Sequence, residues 1–177
     1  MKIKYYENPI KLLTKSPLGV FKMDKKALVA YYTKSGASKE YAQVIADTLN
    51  DHNISVDICN LKDDIPHINE YDTIILGTGV RLSMVYRRWK KILKQKAIKN
   101  KHLFMFLSSG MAIEEPEKAV EKFLHPIVKK YNLNPDSLIS FPGKTPEKWE
   151  KYDDGPKETI KPDLAKAWAD EIIHQIQ

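Results

Sequence analysis

Three hydroxyls and a glycine cluster at Thr33-Lys34-Ser35-Gly36-Ala37-Ser38, between an apolar run and an amphipathic stretch. Residues of these types at a strand-to-helix turn suit a phosphate. The glycine lets the backbone approach closely, the helix N-terminus offers free N–H groups, and the hydroxyls add donors without adding charge. A dianion there also gains from the positive end of the helix dipole. One hydroxyl and one glycine would mean no more than a helix cap. Three hydroxyls at this spacing exceed that need.

Rival phosphate chemistries fail on the same residues. The pattern G-x-x-x-x-G-K-[ST] is absent, which argues against a nucleoside triphosphatase. Gly77-Thr78-Gly79 lacks the third glycine of a dinucleotide fingerprint and follows the wrong strand. A phosphorylated receiver domain needs an aspartate where this chain has Leu76-Gly77.

Other reactive constellations are weak. His52, His67, His102, His125 and His174 show no metal-ligand spacing, so no metal is expected. Asp63-Asp64, Glu114-Glu115 and Asp153-Asp154 are adjacent pairs that read as turns and helix N-terminal charges. No Gly-x-Ser-x-Gly elbow for hydrolysis is present. The single cysteine, Cys59, forbids an intrachain disulfide and reads as a small buried residue at a strand end.

The elements that would position the loop follow from periodicity. Ala27–Tyr32 is a continuous apolar run, as in a strand buried on both faces. Tyr41, Ile45 and Leu49 mark a helix over about 37–51. Ile54, Val56 and Ile58 alternate with polar residues, which suits an edge strand. Thr73–Leu76 is a third strand, expected to stop at Gly77-Thr78-Gly79. A helix with Val85, Trp89, Ile92 and Leu93 on one face should follow, carrying Lys90, Lys91, Lys94, Lys96 and Lys99. Leu103–Leu107 is a fourth strand ending at Ser108-Ser109-Gly110. The next helix has Pro116 near its start and a kink or break at Pro126. Leu138–Phe141 is a short fifth strand that Pro142 ends, and 142–162 is a long polar connection. The last helix carries Leu164, Trp168, Ile172 and Ile176.

Strands alternating with helices predict a doubly wound five-stranded parallel sheet of order 2-1-3-4-5, with helices on both faces. Its ligand crevice lies at the carboxyl ends of strands 1 and 3. The expected organisation is an N-terminal arm, residues 1–26, followed by one domain, residues 27–177. Within 177 residues there is room for one well-buried domain.

A 42% hydrophobic and 29% charged composition is ordinary for a globular protein. No apolar run approaches the ~20 residues of a membrane span, so no integral membrane segment is expected. Met1–Tyr6 leads into Glu7, Asn8 and Pro9 rather than a signal sequence, and the expected location is cytoplasmic. The net charge of +6 favours an anionic redox partner or small-molecule substrate, or peripheral membrane contact. No nucleic-acid-binding motif accompanies the charge.

The pattern [ST]-x-[ST]-G-x-[ST] after the first strand resembles the FMN phosphate loop of the flavodoxin family, over about residues 27–177. By position, the resemblance implies that Thr33, Lys34, Ser35, Gly36, Ala37 and Ser38 surround the phosphate of FMN. It implies that Thr78, Gly79, Val80, Arg81 and Leu82 lie along the isoalloxazine, and that Ser108, Ser109 and Gly110 hold its other side. Arg81 is then the side chain expected to face the flavin pyrimidine or an anionic substrate, and Tyr86 and Trp89 are further candidates for ring contact. Trp89 also fits its helix's buried stripe. The implied function is an FMN-binding redox protein, in electron transfer or flavin-dependent oxidoreduction. Gly-x-x-Val-Arg and the chain length are similar to the flavodoxin-like protoporphyrinogen oxidases, which implies an FMN-dependent oxidoreductase acting on an anionic or quinone-like substrate. A flavodoxin-shaped binding module that has lost FMN is the third reading.

Overall fold

A strand covered by helices on both faces has no wet side, so its sequence reads as unbroken apolar residues. The middle of this sheet is built from such strands. The computed structural model describes residues 25–81, 84–145 and 159–177. Residues 1–24 of the expected N-terminal arm and much of the 142–162 connection therefore lie outside the described residues, as does Leu82, while Lys26, expected at the end of the arm, begins β1.

The elements run in chain order as β1 (Lys26–Tyr32), α1 (Ala37–Asp51), β2 (Ser55–Asn60), β3 (Thr73–Arg81), β4 (Met84–Val85), α2 (Trp89–Ile92), β5 (His102–Ser109), α3 (Pro116–Phe123), α4 (His125–Tyr131), β6 (Ser137–Pro142) and α5 (Pro162–Ile176). Five strands pair in parallel in the order β2-β1-β3-β5-β6, which is the predicted winding. The sixth, β4, is a two-residue antiparallel addition to β3.

Alternate residues of each strand enter two separate cores. On one face Val29, Ile75, Phe104, Phe106 and Phe141 meet Tyr41, Ile45 and Leu49 of α1 and Trp168 and Ile172 of α5. On the other, Leu28, Ile74, Leu76, Leu103, Met105 and Leu107 meet Trp89 and Ile92 of α2, Phe123 of α3 and Ile127 of α4. Trp168 stands edge-on to Phe104, Phe106 and Phe141 at 5.9–6.2 Å and donates its indole N–H to Ser137 Oγ at 3.0 Å.

Several expectations need correction. The third strand does not stop at Gly77 but continues to Arg81. A Cβ at Gly77 would lie 2.0 Å from Phe106 Cζ, so the missing side chain makes room for a ring of the neighbouring strand and marks no turn. The helix expected from Val85 to Leu93 is also split. Val85 belongs to β4, α2 is a single turn, and a 3-10 turn follows at Lys96–Asn100. Val85, Trp89, Ile92 and Leu93 are nevertheless all buried together. The fourth predicted strand extends through Ser109, and Pro142 is the last residue of its strand rather than the residue beyond it. Pro126 does mark a break: α3 ends at Phe123 and α4 begins at His125. Leu164 is 49% exposed, although Trp168, Ile172 and Ile176 are buried. Strict four-residue spacing drifts by about 40° per step on a helix of 3.6 residues per turn, and Leu164 has drifted off the buried face. On the edge strand β2, Ile58 is 41% exposed, and Cys59 is half-buried rather than buried.

Candidate functional site

The loop 33–36 is held by its own atoms. The Gly36 N–H donates to Thr33 Oγ1 at 2.9 Å, and the Gly36 carbonyl accepts from the N–H of Lys39 at 2.9 Å. Gly36 stands at the N-cap of α1 with φ of 95°, a left-handed conformation that disfavours a side chain. Among the described residues no side chain caps this helix. The Gly36 carbonyl takes the Lys39 and Glu40 N–H groups, which leaves those of Ala37 and Ser38 at the start of α1 for an external anion.

Three sequence-distant segments converge beside that helix start. Ser38 is fully buried, and its Oγ lies 2.8 Å from Ser108 Oγ at the end of β5. Gly79 faces both: a Cβ built there would lie 3.7 Å from Ser38 Oγ and 3.9 Å from Ser108 Oγ. The same position is 3.4 Å from the Tyr86 ring. Tyr86 in turn packs on Tyr32 with centroids 4.5 Å apart, and the Lys34 ammonium stands 5.7 Å from the Tyr86 centroid. The carboxyl ends of β1, β3 and β5 thus share one crevice, at the switch point of the winding.

The remaining expected residues divide between crevice and rim. Thr78 is buried within β3 and donates its hydroxyl to the Gly79 carbonyl at 3.1 Å. Ser109 is buried, and its Oγ accepts from the Ala112 N–H, so it caps a short 3-10 turn beginning at Gly110. Among the described residues nothing lies within 4 Å of a Cβ placed on Gly110. Val80 pairs with Val85 and Arg81 with Met84, so Arg81 is an exposed residue of a hairpin rather than of a free loop. Burial pushes the Tyr86 phenol up, while the nearby Arg81 charge pulls it down and Tyr32 raises it. Ala37 is fully buried. Trp89 is fully buried in the second core, so its place is structural rather than beside a ring, and its indole N–H has no acceptor among the described residues.

Sequence reasoning missed the segment after β6. Pro142 and Gly143 are tied to α1 and to the end of β5: the Tyr41 hydroxyl donates to the Pro142 carbonyl at 2.8 Å, and the Gly143 N–H donates to the Ser109 carbonyl at 2.8 Å. A Cβ at Gly143 would come within 2.9 Å of the Ser109 backbone. Lys144 follows, and its ammonium pairs with Glu40 of α1 at 2.5 Å. A usable signal was present. This segment leaves the carboxyl end of a parallel strand, which is the ligand side of such a sheet.

The donor set fits a phosphate ester: an uncapped helix start, a left-handed glycine, and hydroxyls on both sides of the crevice. A family model described as a flavodoxin domain matches residues 28–160. The chain belongs to the flavodoxin domain family, a flavodoxin-like redox class. Over 95 residues it is 25% identical to the protoporphyrinogen IX dehydrogenase [quinone] of Escherichia coli, a match covering 52% of each chain. The chain thus spans about half the length of the curated relatives it matches. Among solved structures it resembles oxidised flavodoxin 1 from Bacillus cereus, with a TM-score of 0.62 and 15% identity, covering 86% of this chain and 100% of that one. A flavodoxin from the domain Archaea gives a TM-score of 0.52 and 19% identity, covering 84% and 99%. These two likenesses carry the fold.

Proposed function

We propose that this chain binds FMN at the crevice and works as a redox protein, with residues 27–177 as the cofactor-binding domain and residues 1–26 as an arm. The observation that carries the reading is the uncapped, glycine-started α1 beside the Ser38–Ser108 hydroxyl pair. Thr33, Ser35, Gly36, Ala37 and Ser38 would hold the phosphate. Gly79, Val80, Arg81, Leu82, Ser108, Ser109 and Gly110 would line the remainder. When bound, FMN supplies one- and two-electron transfer, and the protein supplies binding and electrostatics.

The basic rim directs the choice of partner. Lys34, Lys39, Arg81 and Arg87 stand on or beside the crevice loops, so an anionic redox partner or small anionic substrate is favoured over a basic docking face. Cytoplasmic work with soluble partners accords with this charge. Among the described residues no helix is long and apolar enough to cross a membrane.

The visible spectrum of freshly purified protein, with the flavin identified after denaturation, tests the cofactor. Flavin absorbance and released FMN are expected. A colourless protein that also fails to bind added FMN would leave a binding module that has lost its cofactor. The second reading, an oxidoreductase turning over a quinone or a porphyrinogen, is favoured by the name of the Escherichia coli relative. Steady-state turnover of a quinone by the loaded protein separates it from a pure electron carrier.

A further inference from the structure

Lys144 sits where an ordinary surface ion pair has little to gain. Its side chain is 33% exposed and that of Glu40 is 46% exposed. Pairs this wet contribute little, because solvent screens them and two long side chains lose freedom. Yet the backbone that carries Lys144 is held on several sides. Tyr41 binds the Pro142 carbonyl, Gly143 is pressed on the Ser109 backbone, and Thr159 Oγ1 donates to the Gly143 carbonyl at 2.5 Å. The lysine stem is thereby aimed at the phosphate loop. A Cβ built on Gly36 would lie 3.2 Å from Lys144 Cε and 3.3 Å from Lys144 Nζ.

Glu40 poses a problem that Lys144 answers. It lies in the first turn of α1, where a carboxylate is favoured by the helix dipole. A phosphate arriving at the same helix start would meet a second anion there. Lys34 turns instead over the Tyr86 ring. We infer that Lys144 bridges the FMN phosphate to Glu40, with its ammonium standing between the two anions and easing their repulsion while Glu40 holds it over Gly36. The inference rests on the FMN reading above and adds to it a charged residue from the far edge strand. Riboflavin, which lacks the phosphate, gains nothing from this lysine, so the bridge sets the preference between the two flavins.

The test is fluorescence titration of the cofactor-free protein with FMN and with riboflavin, for the wild type, Lys144→Met, Lys144→Arg and Lys144→Met/Glu40→Gln. In Lys144→Met the FMN affinity should fall about tenfold to a hundredfold, the range for loss of a charge-assisted hydrogen bond, with riboflavin unchanged. Lys144→Arg should keep most of the preference. Adding Glu40→Gln to Lys144→Met should recover part of the FMN affinity by removing the unbalanced carboxylate. The salt dependence of FMN binding should also flatten in Lys144→Met. An unchanged FMN-to-riboflavin ratio in Lys144→Met overturns the bridge while leaving FMN as the cofactor. Failure of the wild type to bind FMN at all overturns both.

Discussion

Gly36 and Gly77 are both glycines of the candidate crevice region, and they are glycine for different reasons. Gly36 needs its left-handed φ, and a Cβ there would press on Lys144 Cε at 3.2 Å. Gly36→Val combines a strained backbone of about 1–3 kcal/mol with a blocked phosphate loop. FMN affinity should fall by more than about tenfold, a loss of roughly 1.4 kcal/mol in binding. Far-UV circular dichroism should still report the folded sheet. Unchanged FMN affinity in the folded variant would move the phosphate elsewhere. Gly77 yields its volume to the Phe106 ring. Gly77→Ala should cost about 1–3 kcal/mol through overpacking, measured by urea unfolding. Combining it with Phe106→Leu should cost less than the two single changes added together. Sequence alone shows a glycine in each place, and it shows the reason only for Gly36, because the ring that excludes a side chain at Gly77 comes from a strand nearly 30 residues away.

At the scale of elements, the order of the five parallel strands was legible because the inner strands are short apolar runs, the second alternates as an edge strand does, and turn residues bound them. The hydroxyl loop was legible for a related reason: it is contiguous. What stayed hidden depends on pairing across distance. The hairpin of β3 and β4 is recognised only when Val80 meets Val85, and the closure of Gly143 on Ser109 joins two strand ends. The opposite end of the sheet has a polar tie of the same kind. Lys26 of β1 contacts Asp57 of β2 at 2.9 Å and Glu70 at 2.8 Å, and the Tyr71 hydroxyl donates to Asp57 at 2.8 Å. Burial, then the Asp57 carboxylate, pushes the Tyr71 phenol up to about 12. A phenol raised above its ordinary value of about 10 stabilises the fold fully below that value. This contribution is lost as pH rises toward 12. Stability measured from pH 9 to pH 12 should fall less steeply in Tyr71→Phe than in the wild type. Parallel curves would show that this phenol ionises equally in both states.

For the whole molecule, the excess of positive charge has a measurable counterpart at the crevice. If Arg81 faces a bound flavin, its charge favours the reduced anionic ring. Coulomb attraction at ~6 Å and an effective dielectric of about 20 is roughly 3 kcal/mol before solvent screening, which cuts it severely for an exposed arginine. The flavin potential should therefore be more positive in the wild type than in Arg81→Glu, with a gap that narrows in high salt. Redox titration of both proteins at two ionic strengths measures this. Equal potentials would turn Arg81 away from the ring and leave the net charge as an aid to solubility.

The Tyr41 hydroxyl binds the Pro142 carbonyl at 2.8 Å and accepts from the Lys161 N–H at 3.1 Å. One buried phenol therefore pins both ends of the connection between β6 and α5, and the Thr159–Gly143 bond fastens the same neck a second time. A segment whose two ends are already joined can change in length without moving the scaffold, because each doubling of a closed loop adds only about 0.6 kcal/mol of closure entropy. The neck thus makes this stretch a graft point: an inserted peptide or reporter there should leave the sheet and the candidate crevice in register, provided that Tyr41 is kept.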